Sequence, residues 1–158
     1  ERRARARALP PRLPAAPRLS RRHRRAAPEP AHFPSAGNLR AAADNPGFRS
    51  LVDHWLSERY QLRYTGGLCT DVNQLLVKGR GIFVSAAAAG RRPPLRLLYE
   101  ALPLAFLMEK AGGASSDGAT SILDLTVRTT DDRTQVALGS AGEVRRFDEM
   151  VGPAAAVG

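Results

Sequence analysis

The chain is poor in several residue types, and each shortage excludes a class of site. Its 158 residues include one cysteine, Cys69, so neither an internal disulfide nor a cysteine-built zinc site can form. No apolar run approaches the roughly 20 residues that a membrane-spanning helix needs. No glycine-rich loop ends in Gly-Lys-Ser/Thr, and no serine lies in a nucleophile-elbow pattern. These shortages argue against a disulfide scaffold, a membrane-spanning protein, a Walker-type nucleotide site and a serine hydrolase.

Acidic residues are scarce at the N-terminus, where most of the net charge of +9 lies. Residues 1–31 hold ten Arg, two Glu and no Asp, whereas residues 32–158 hold 14 basic and 13 acidic side chains. The first segment has too little apolar surface to offset its ordering entropy, so we expect a disordered basic tail or linker. The first residue is Glu1 rather than Met, which we interpret as the mark of a processed protein or a fragment.

Three roles stay open for residues 1–31. They resemble an organelle transit remnant in being rich in Arg and poor in acids, although Ser is scarce. Clustered Arg could also form an arm that binds anions or nucleic acid. The third interpretation is a linker or a wrongly assigned exon. Nucleic-acid binding is unfavoured, because the rest of the chain is nearly neutral and the tail has no aromatic side chains for base stacking.

Residues 32–158 have the composition of a folded domain in which helices and strands alternate. Asn45 followed by Pro46 predicts a helix start, and the apolar residues after it recur at three- and four-residue spacing. Further helices are predicted from a cap at Thr70 to Gly79, from Pro103 to Gly112, and after a capping box formed by Ser140 and Glu143. Strands are predicted at residues 81–84, 95–99 and 134–138. This alternation predicts an α/β layered domain.

Glu100 is placed where a ligand site could form. It ends the predicted strand 95–99 just before a helix, and such strand ends are where open α/β sheets bind ligands. A carboxylate there could hold a hard cation such as Mg²⁺. Equally, Glu100 could complement the positive end of the following helix. The residues alone favour this second, structural interpretation.

Two other segments carry positive charge that could meet an anionic ligand. Arg63 precedes the Gly66–Gly67 pair, which could let backbone N–H groups approach a phosphate or could form an ordinary tight turn. Arg91 and Arg92, near Arg96, could meet an anionic substrate or form a solvated loop. The residue patterns therefore stop at an α/β domain that could bind a phosphorylated ligand.

A set of motifs occurs in the order known from one enzyme family. They are R-Y-T-G-G (63–67), D-V-N-Q (71–74), G-I-F (81–83), L-R-L-L-Y-E (95–100), M-E-K-A-G-G (108–113) and L-G-S (138–140). Over about residues 33–152 the chain resembles the C-terminal half of class 1 sugar bisphosphatases, the fructose-1,6- and sedoheptulose-1,7-bisphosphatases. Four motifs are more similar to the sedoheptulose branch: G-N-L-R (37–40), D-V-N-Q (71–74), S-S-D-G (115–118) and D-D-R-T-Q-V-A-L-G-S (131–140).

The resemblance implies a fold, a reaction and a cofactor. The fold is a mixed sheet with flanking helices, and residues 32–158 would form the C-terminal domain of the sugar-bisphosphatase fold. The reaction is hydrolysis of the 1-phosphate of a sugar bisphosphate, in which Mg²⁺ ions polarise the phosphoryl group and activate water. The working unit would be a homodimer in the chloroplast stroma, serving the Calvin cycle, or in the cytoplasm for the fructose branch.

The resemblance also implies residue roles. Glu100 would be a Mg²⁺ ligand. Arg63 and Tyr64 would bind a substrate phosphate, with Arg63 reaching the neighbouring subunit's site. The remaining substrate-binding positions that it implies are Asn38, Arg40, Gly66 and Leu68.

The chain departs from the family pattern in ways that limit these roles. Pro94 stands where the family has a substrate-binding Lys, and Arg91 or Arg92 could replace it. Ser85 stands where the fructose branch has a Tyr. The other metal-binding carboxylates of the family lie in its N-terminal half, and one carboxylate cannot assemble a multi-metal site.

We therefore expect the chain to belong to a bisphosphatase and to be unable to catalyse alone. Two alternatives stay open beside the sedoheptulose interpretation. One is a fructose-1,6-bisphosphatase, and the other is a catalytically incomplete module for sugar-phosphate binding or dimerisation.

Overall fold

The computed structural model describes residues 32–154, which form one four-stranded mixed sheet, one two-stranded sheet and four α-helices. The predicted disordered tail, residues 1–31, lies outside the described residues. The strands are β1 (Pro34–Ala36), β2 (Ile82–Ser85), β3 (Leu95–Arg96), β4 (Ala114–Ser116), β5 (Arg133–Thr134) and β6 (Val136–Gly139). The helices are α1 (Pro46–Ser57), α2 (Leu68–Lys78), α3 (Leu102–Lys110) and α4 (Ala141–Met150). Short 3₁₀ turns span Leu39–Ala43 and Ile122–Asp124, and a π-helical turn spans Leu97–Ala101.

The four-stranded sheet has the order β1-β2-β6-β4. Strand β1 runs parallel to β2, while β6 is antiparallel to both β2 and β4. The two central strands are buried along their whole length, as expected when helices cover both faces of a sheet. Strands β3 and β5 form the separate antiparallel pair. The predicted α/β fold with a mixed sheet and flanking helices is confirmed.

Alternation along the central strands divides the core in two. On one face, Phe83 and Leu138 pack with α2, α3 and the π-helical turn. On the other face, Ile82, Val84 and Ala137 pack with α1 and α4. The sheet is therefore the middle of three layers.

Several helix ends follow the sequence prediction. Asn45 Oδ1 accepts the Phe48 N–H at 2.9 Å, with Pro46 as the first helical residue of α1. Gly79 ends α2 with a φ of 65°, a left-handed conformation that favours glycine. The predicted strand at 81–84 is present as β2.

Four local predictions are wrong. Helix α2 begins at Leu68 with Gly67 as its N-cap, three residues before the predicted cap Thr70, because the glycine pair already provides the extended entry. The predicted strand 95–99 is β3 only as far as Arg96, where the chain turns into the π-helical turn that leads into α3. The predicted strand 134–138 is divided between two sheets at Gln135.

The fourth correction concerns α4. Ser140 occupies the N-cap position but makes no capping hydrogen bond with its side chain. Glu143 does not reach back to complete a capping box, because its carboxylate turns inward to Tyr60 and Arg146. Both the N-cap position and the helix start were nevertheless predicted correctly.

Candidate functional site

A cleft of about 920 Å³ opens beside the C-terminal end of β2. Its walls come from the 3₁₀ turn Leu39–Ala43 with the residues before it, and from the loop that joins β2 to β3. Four of the predicted substrate-binding residues line it: Asn38, Arg40, Arg91 and Arg92. Asp44 is the carboxylate in the same lining, so three guanidinium groups face one acid. A cleft of this charge suits an anionic ligand.

Asn38 holds Arg40 at the mouth of the cleft. The Asn38 Nδ2 donates to the Ala86 carbonyl at 2.9 Å, which ties the turn to the end of β2. The Asn38 Oδ1 accepts from Arg40 Nε at 3.2 Å. Because only Nε is engaged, the other guanidinium N–H groups of Arg40 stay available for a bidentate contact with a phosphate.

The opposite wall is the loop that carries Arg91 and Arg92. The Arg91 N–H donates to the Ala88 carbonyl at 3.1 Å, around Gly90 with a φ of 66°. The Arg92 guanidinium donates to the Asp131 carbonyl at 3.2 Å. Pro94 lines the cleft beside them, and its carbonyl accepts from Arg133 Nη1 at 2.8 Å. Arg91 and Arg92 therefore line the same cleft as Pro94, which stands where the family that the sequence resembles has a lysine.

Tyr64 borders a second cavity of about 310 Å³, which Asn38 and Arg40 also line. The two cavities thus share one wall. The Tyr64 hydroxyl donates to the Gly37 carbonyl at 3.4 Å, a long bond that a stronger acceptor could replace. The structure therefore brings Asn38, Arg40 and Tyr64 together, with Arg91 and Arg92 across the larger cleft.

The other predicted substrate-binding residues lie outside the linings of these two cavities. The Arg63 guanidinium stacks over the Phe33 ring, 5.5 Å from its centroid, and donates to Gln61 Oε1 at 3.3 Å. Gly66 forms the turn before α2 with a φ of 86°, and Leu68 is the first residue of that helix. They belong to the segment that carries Tyr64.

Glu100 lies inside the π-helical turn, so the prediction that it ends a strand is wrong. Its Oε2 accepts the N–H of Arg96, the residue at the N-cap, at 2.6 Å. This contact satisfies a backbone donor that the start of a helical turn leaves unpaired. Within residues 32–154, no group of three His, Cys, Asp or Glu side chains is arranged to hold a metal ion. The described residues therefore do not fit a complete Mg²⁺ site.

Residue patterns missed two acidic side chains near the site. Asp44 was not singled out, although it directly precedes the helix cap Asn45. Asp71 entered only as a letter of the D-V-N-Q motif, yet it is fully buried beside the Tyr64 segment. Its spacing of four residues from the core residue Leu75 was the available signal, because such spacing places both on one helix face.

No helix within residues 32–154 combines the length and the apolar character needed to cross a bilayer.

The comparisons with known proteins agree with the geometry in pointing to a sugar bisphosphatase fold. Residues 27–152 match the family model described as the fructose-1,6-bisphosphatase C-terminal domain.

The chain is 53% identical over 117 residues to the chloroplastic sedoheptulose-1,7-bisphosphatase of Triticum aestivum, covering 74% of this chain and 30% of that protein. It is 41% identical over 108 residues to the class 1 fructose-1,6-bisphosphatase of Geobacter sulfurreducens, covering 68% of this chain and 34% of that one. It therefore spans about a third of the length of the curated relatives that it matches.

Among solved structures, a Toxoplasma gondii protein described as a sedoheptulose-1,7 bisphosphatase superposes with a TM-score of 0.74 at 41% identity. The Leishmania major fructose-1,6-bisphosphatase superposes with a TM-score of 0.69 at 31% identity. These matches cover 77% and 78% of this chain and 39% of each relative. The motifs, the fold and the family match agree: this chain belongs to the fructose-1,6-bisphosphatase C-terminal domain family.

Proposed function

We propose that this chain is the substrate-binding part of a sugar bisphosphatase that hydrolyses the 1-phosphate of sedoheptulose 1,7-bisphosphate. The observation that carries the proposal is the cleft in which Asn38, Arg40, Arg91 and Arg92 converge. The identity to the sedoheptulose-1,7-bisphosphatases, 51–53%, exceeds the 37–44% to the fructose-1,6-bisphosphatases, which supports the sedoheptulose branch.

The arginines of the cleft would bind the phosphate groups of the substrate. A guanidinium offers paired N–H donors that match two phosphate oxygens, and it stays protonated at every working pH. Arg40 is oriented by Asn38, while Arg91 and Arg92 come from the facing loop. In this proposal Arg91 and Arg92 together take the place of the lysine that Pro94 replaces.

The segment 63–68 would complete the binding site. The Tyr64 hydroxyl could exchange its long bond to Gly37 for a bond to a phosphate oxygen. Gly66 and Leu68 lie outside both cavities, so they would border only a part of the sugar that extends beyond them. Arg63 points to Phe33 rather than into either cavity. This orientation is compatible with the implied role of Arg63 in the site of a neighbouring subunit of a homodimer.

The part that the described residues can play is binding and orientation. Glu100 is the carboxylate that would hold Mg²⁺, and the ion would supply water activation and charge neutralisation. One carboxylate does not satisfy the octahedral oxygen coordination of Mg²⁺. Hydrolysis would therefore depend on carboxylates beyond those described. We place the reaction in the chloroplast stroma, because the three sedoheptulose-1,7-bisphosphatase relatives are named as chloroplastic.

A calorimetric titration of the chain with sedoheptulose 1,7-bisphosphate tests the proposal. The double variant R91A/R92A should weaken binding at least about tenfold, because each lost phosphate contact is worth roughly 1.5–3 kcal/mol before screening. Arg49, exposed on α1 and paired with Asp53, provides a matched control, and R49A should leave the affinity within about twofold. Equal loss in both variants would mean that the cleft is not the binding site.

The same titration with fructose 1,6-bisphosphate separates the two branches. The matches to class 1 fructose-1,6-bisphosphatases keep that substrate as the second candidate. Tighter binding of the sedoheptulose compound supports the proposal, and the reverse order would assign the chain to the fructose branch. Absence of binding to either compound would refute the proposal.

A further inference from the structure

The buried carboxylate of Asp71 accepts a hydrogen bond from a residue outside its own helix. Its side chain is 0% exposed, one turn into α2. The backbone N–H of Asp71 makes the regular helical bond to the Gly67 carbonyl at 2.9 Å. Its side-chain Oδ1 reaches back and accepts the N–H of Thr65 at 2.9 Å. The rigid helix and the preceding turn are therefore joined through this one side chain.

The joined turn carries Tyr64. On the N-terminal side, the Arg63 N–H donates to the Pro34 carbonyl at 3.0 Å, and the Arg63 carbonyl accepts from the Ser35 hydroxyl. On the C-terminal side, the Thr65 N–H is held by Asp71. The peptide plane between Tyr64 and Thr65 is thereby fixed, and Tyr64 lies between two anchored residues.

Packing contributes little to fixing this turn. A Cβ added at Gly66 would have no atom within 4 Å, so Gly66 is not wedged against a neighbour. Glycine has more backbone freedom than any other residue, and two adjacent glycines make the segment intrinsically loose. The other hydrogen bond of Thr65, which its Oγ1 accepts from the Gly67 N–H, is long at 3.3 Å. The hydrogen bond to Asp71 is therefore the principal restraint on Thr65, the residue that follows Tyr64.

The second carboxylate oxygen of Asp71 lowers the stability of the fold. Asp71 Oδ2 is buried and accepts no hydrogen bond from any described residue. A buried carboxylate with an unpaired oxygen costs stability, which an apolar side chain at this place would avoid. Its position between a rigid helix and the turn beside the cavity gives the residue a use that stability does not explain.

We propose that Asp71 is a positioning residue that acts on a bound sugar phosphate through Tyr64. The inference rests on the proposed function, because it assumes that the Tyr64 cavity binds the sugar phosphate. By holding the Thr65 N–H, Asp71 keeps the Tyr64 hydroxyl beside Asn38 and Arg40 before the ligand arrives. The affinity then does not include the cost of ordering the glycine turn.

The test measures binding of sedoheptulose 7-phosphate to the whole chain. Asp71→Ala removes the acceptor and should weaken binding at least about tenfold. Asp71→Asn keeps an oxygen acceptor for the Thr65 N–H and should restore the affinity to within about threefold of the original. Val72→Ala is the matched control, because Val72 is the adjacent and equally buried residue on α2. It should lower thermal stability while leaving the affinity nearly unchanged.

Two further variants distinguish positioning from general destabilisation. If Asp71 acts through Tyr64, then Asp71→Ala should cause almost no further loss in a Tyr64→Phe background. Amide exchange of Thr65 should also accelerate in Asp71→Ala and not in Val72→Ala. Additive losses, or an Asp71→Ala chain that binds as tightly as the original, would overturn this inference alone. An original chain that binds no sugar phosphate would overturn the proposed function and this inference with it.

Discussion

At the scale of single residues, Glu143 shows how this domain handles a buried charge. Its side chain is 5% exposed, and one oxygen accepts from both the Tyr60 hydroxyl and Arg146 Nη1, each at 2.8 Å. The His32 Nδ1 lies 3.7 Å from the same oxygen. These contacts tie α4 to the segment that follows α1. Burial, the hydrogen bond to Glu143 and the charge of that carboxylate together raise the pKa of Tyr60 to about 12.

The raised pKa of Tyr60 predicts a loss of stability in alkali. A group whose pKa is higher in the folded state than in the unfolded state contributes stability below its unfolded pKa and loses it as the pH rises. The free energy of unfolding should therefore fall between pH 10 and about 12, because Tyr60 ionises in the unfolded chain before it ionises in the folded one. Tyrosinate absorbance at 295 nm should show a late step in this range.

Tyr60→Phe should abolish that late step. Tyr99→Phe is the control, because Tyr99 is 54% exposed and lies far from Glu143 in the chain, on the π-helical turn. The late step should persist in this control. A late step that survives Tyr60→Phe would show that the hydrogen bond to Glu143 does not raise the pKa of Tyr60.

At the scale of elements, α3 with the π-helical turn before it is apolar on both sides. Leu97, Ala101, Ala105 and Met108 form the buried stripe that faces the sheet. The large residues on the outer side, Leu98, Tyr99, Phe106 and Leu107, are 42–54% exposed. A helix that is apolar all round is normally buried on every side. Large apolar side chains left exposed on one element promote association.

We predict that the isolated chain self-associates through this outer side of α3. Phe106→Glu together with Leu107→Lys should reduce association, measured as the concentration dependence of the sedimentation coefficient. Leu56, on α1, is 72% exposed and provides a control for an apolar residue on a different element. Leu56→Glu should change association little. A monodisperse, cooperatively melting monomer of the original chain would contradict the prediction.

Most helices could be predicted from the sequence. The predictions failed for the elements that depend on tertiary contacts. Asn45 and Gly79 act through backbone groups a few residues away, so their roles were readable from local spacing. The strand predicted at 95–99 failed because its apolar run matches both a buried strand and a buried helical turn. Glu143 matched the capping-box pattern, but its carboxylate instead accepts a hydrogen bond from Tyr60, 83 residues away in the chain. Local patterns contain no information about such partners.

The candidate site shows the same division. The positions of Arg63 and Tyr64 relative to the glycine turn followed from the motif. The convergence of Asn38 and Arg40 with Arg91 and Arg92 depends on the ends of β1 and β2 meeting at one edge of the sheet, which no local pattern contains.

At the scale of the whole molecule, the described domain gathers positive charge at one cleft and groups no set of its carboxylates to hold a metal ion. The cleft contains three guanidinium groups, whereas Glu100 is occupied with the Arg96 N–H. Mg²⁺ takes oxygen ligands in octahedral geometry, usually from carboxylates, water and substrate phosphates. Within residues 32–154, no three acidic, His or Cys side chains are grouped to meet that need. Binding and hydrolysis should therefore be separable in this chain.

We predict that the purified chain with Mg²⁺ releases no phosphate from sedoheptulose 1,7-bisphosphate above the uncatalysed background. Adding the N-terminal part of the wheat sedoheptulose-1,7-bisphosphatase should produce activity if that part supplies the absent carboxylates and the two parts assemble. In the assembled mixture, Glu100→Gln should reduce kcat at least about a hundredfold if Glu100 is a metal ligand. Glu58→Gln, an exposed change at the end of α1, should leave kcat unchanged. Phosphate release by the chain alone at more than a trace rate would refute the separation, because one carboxylate would then have sufficed.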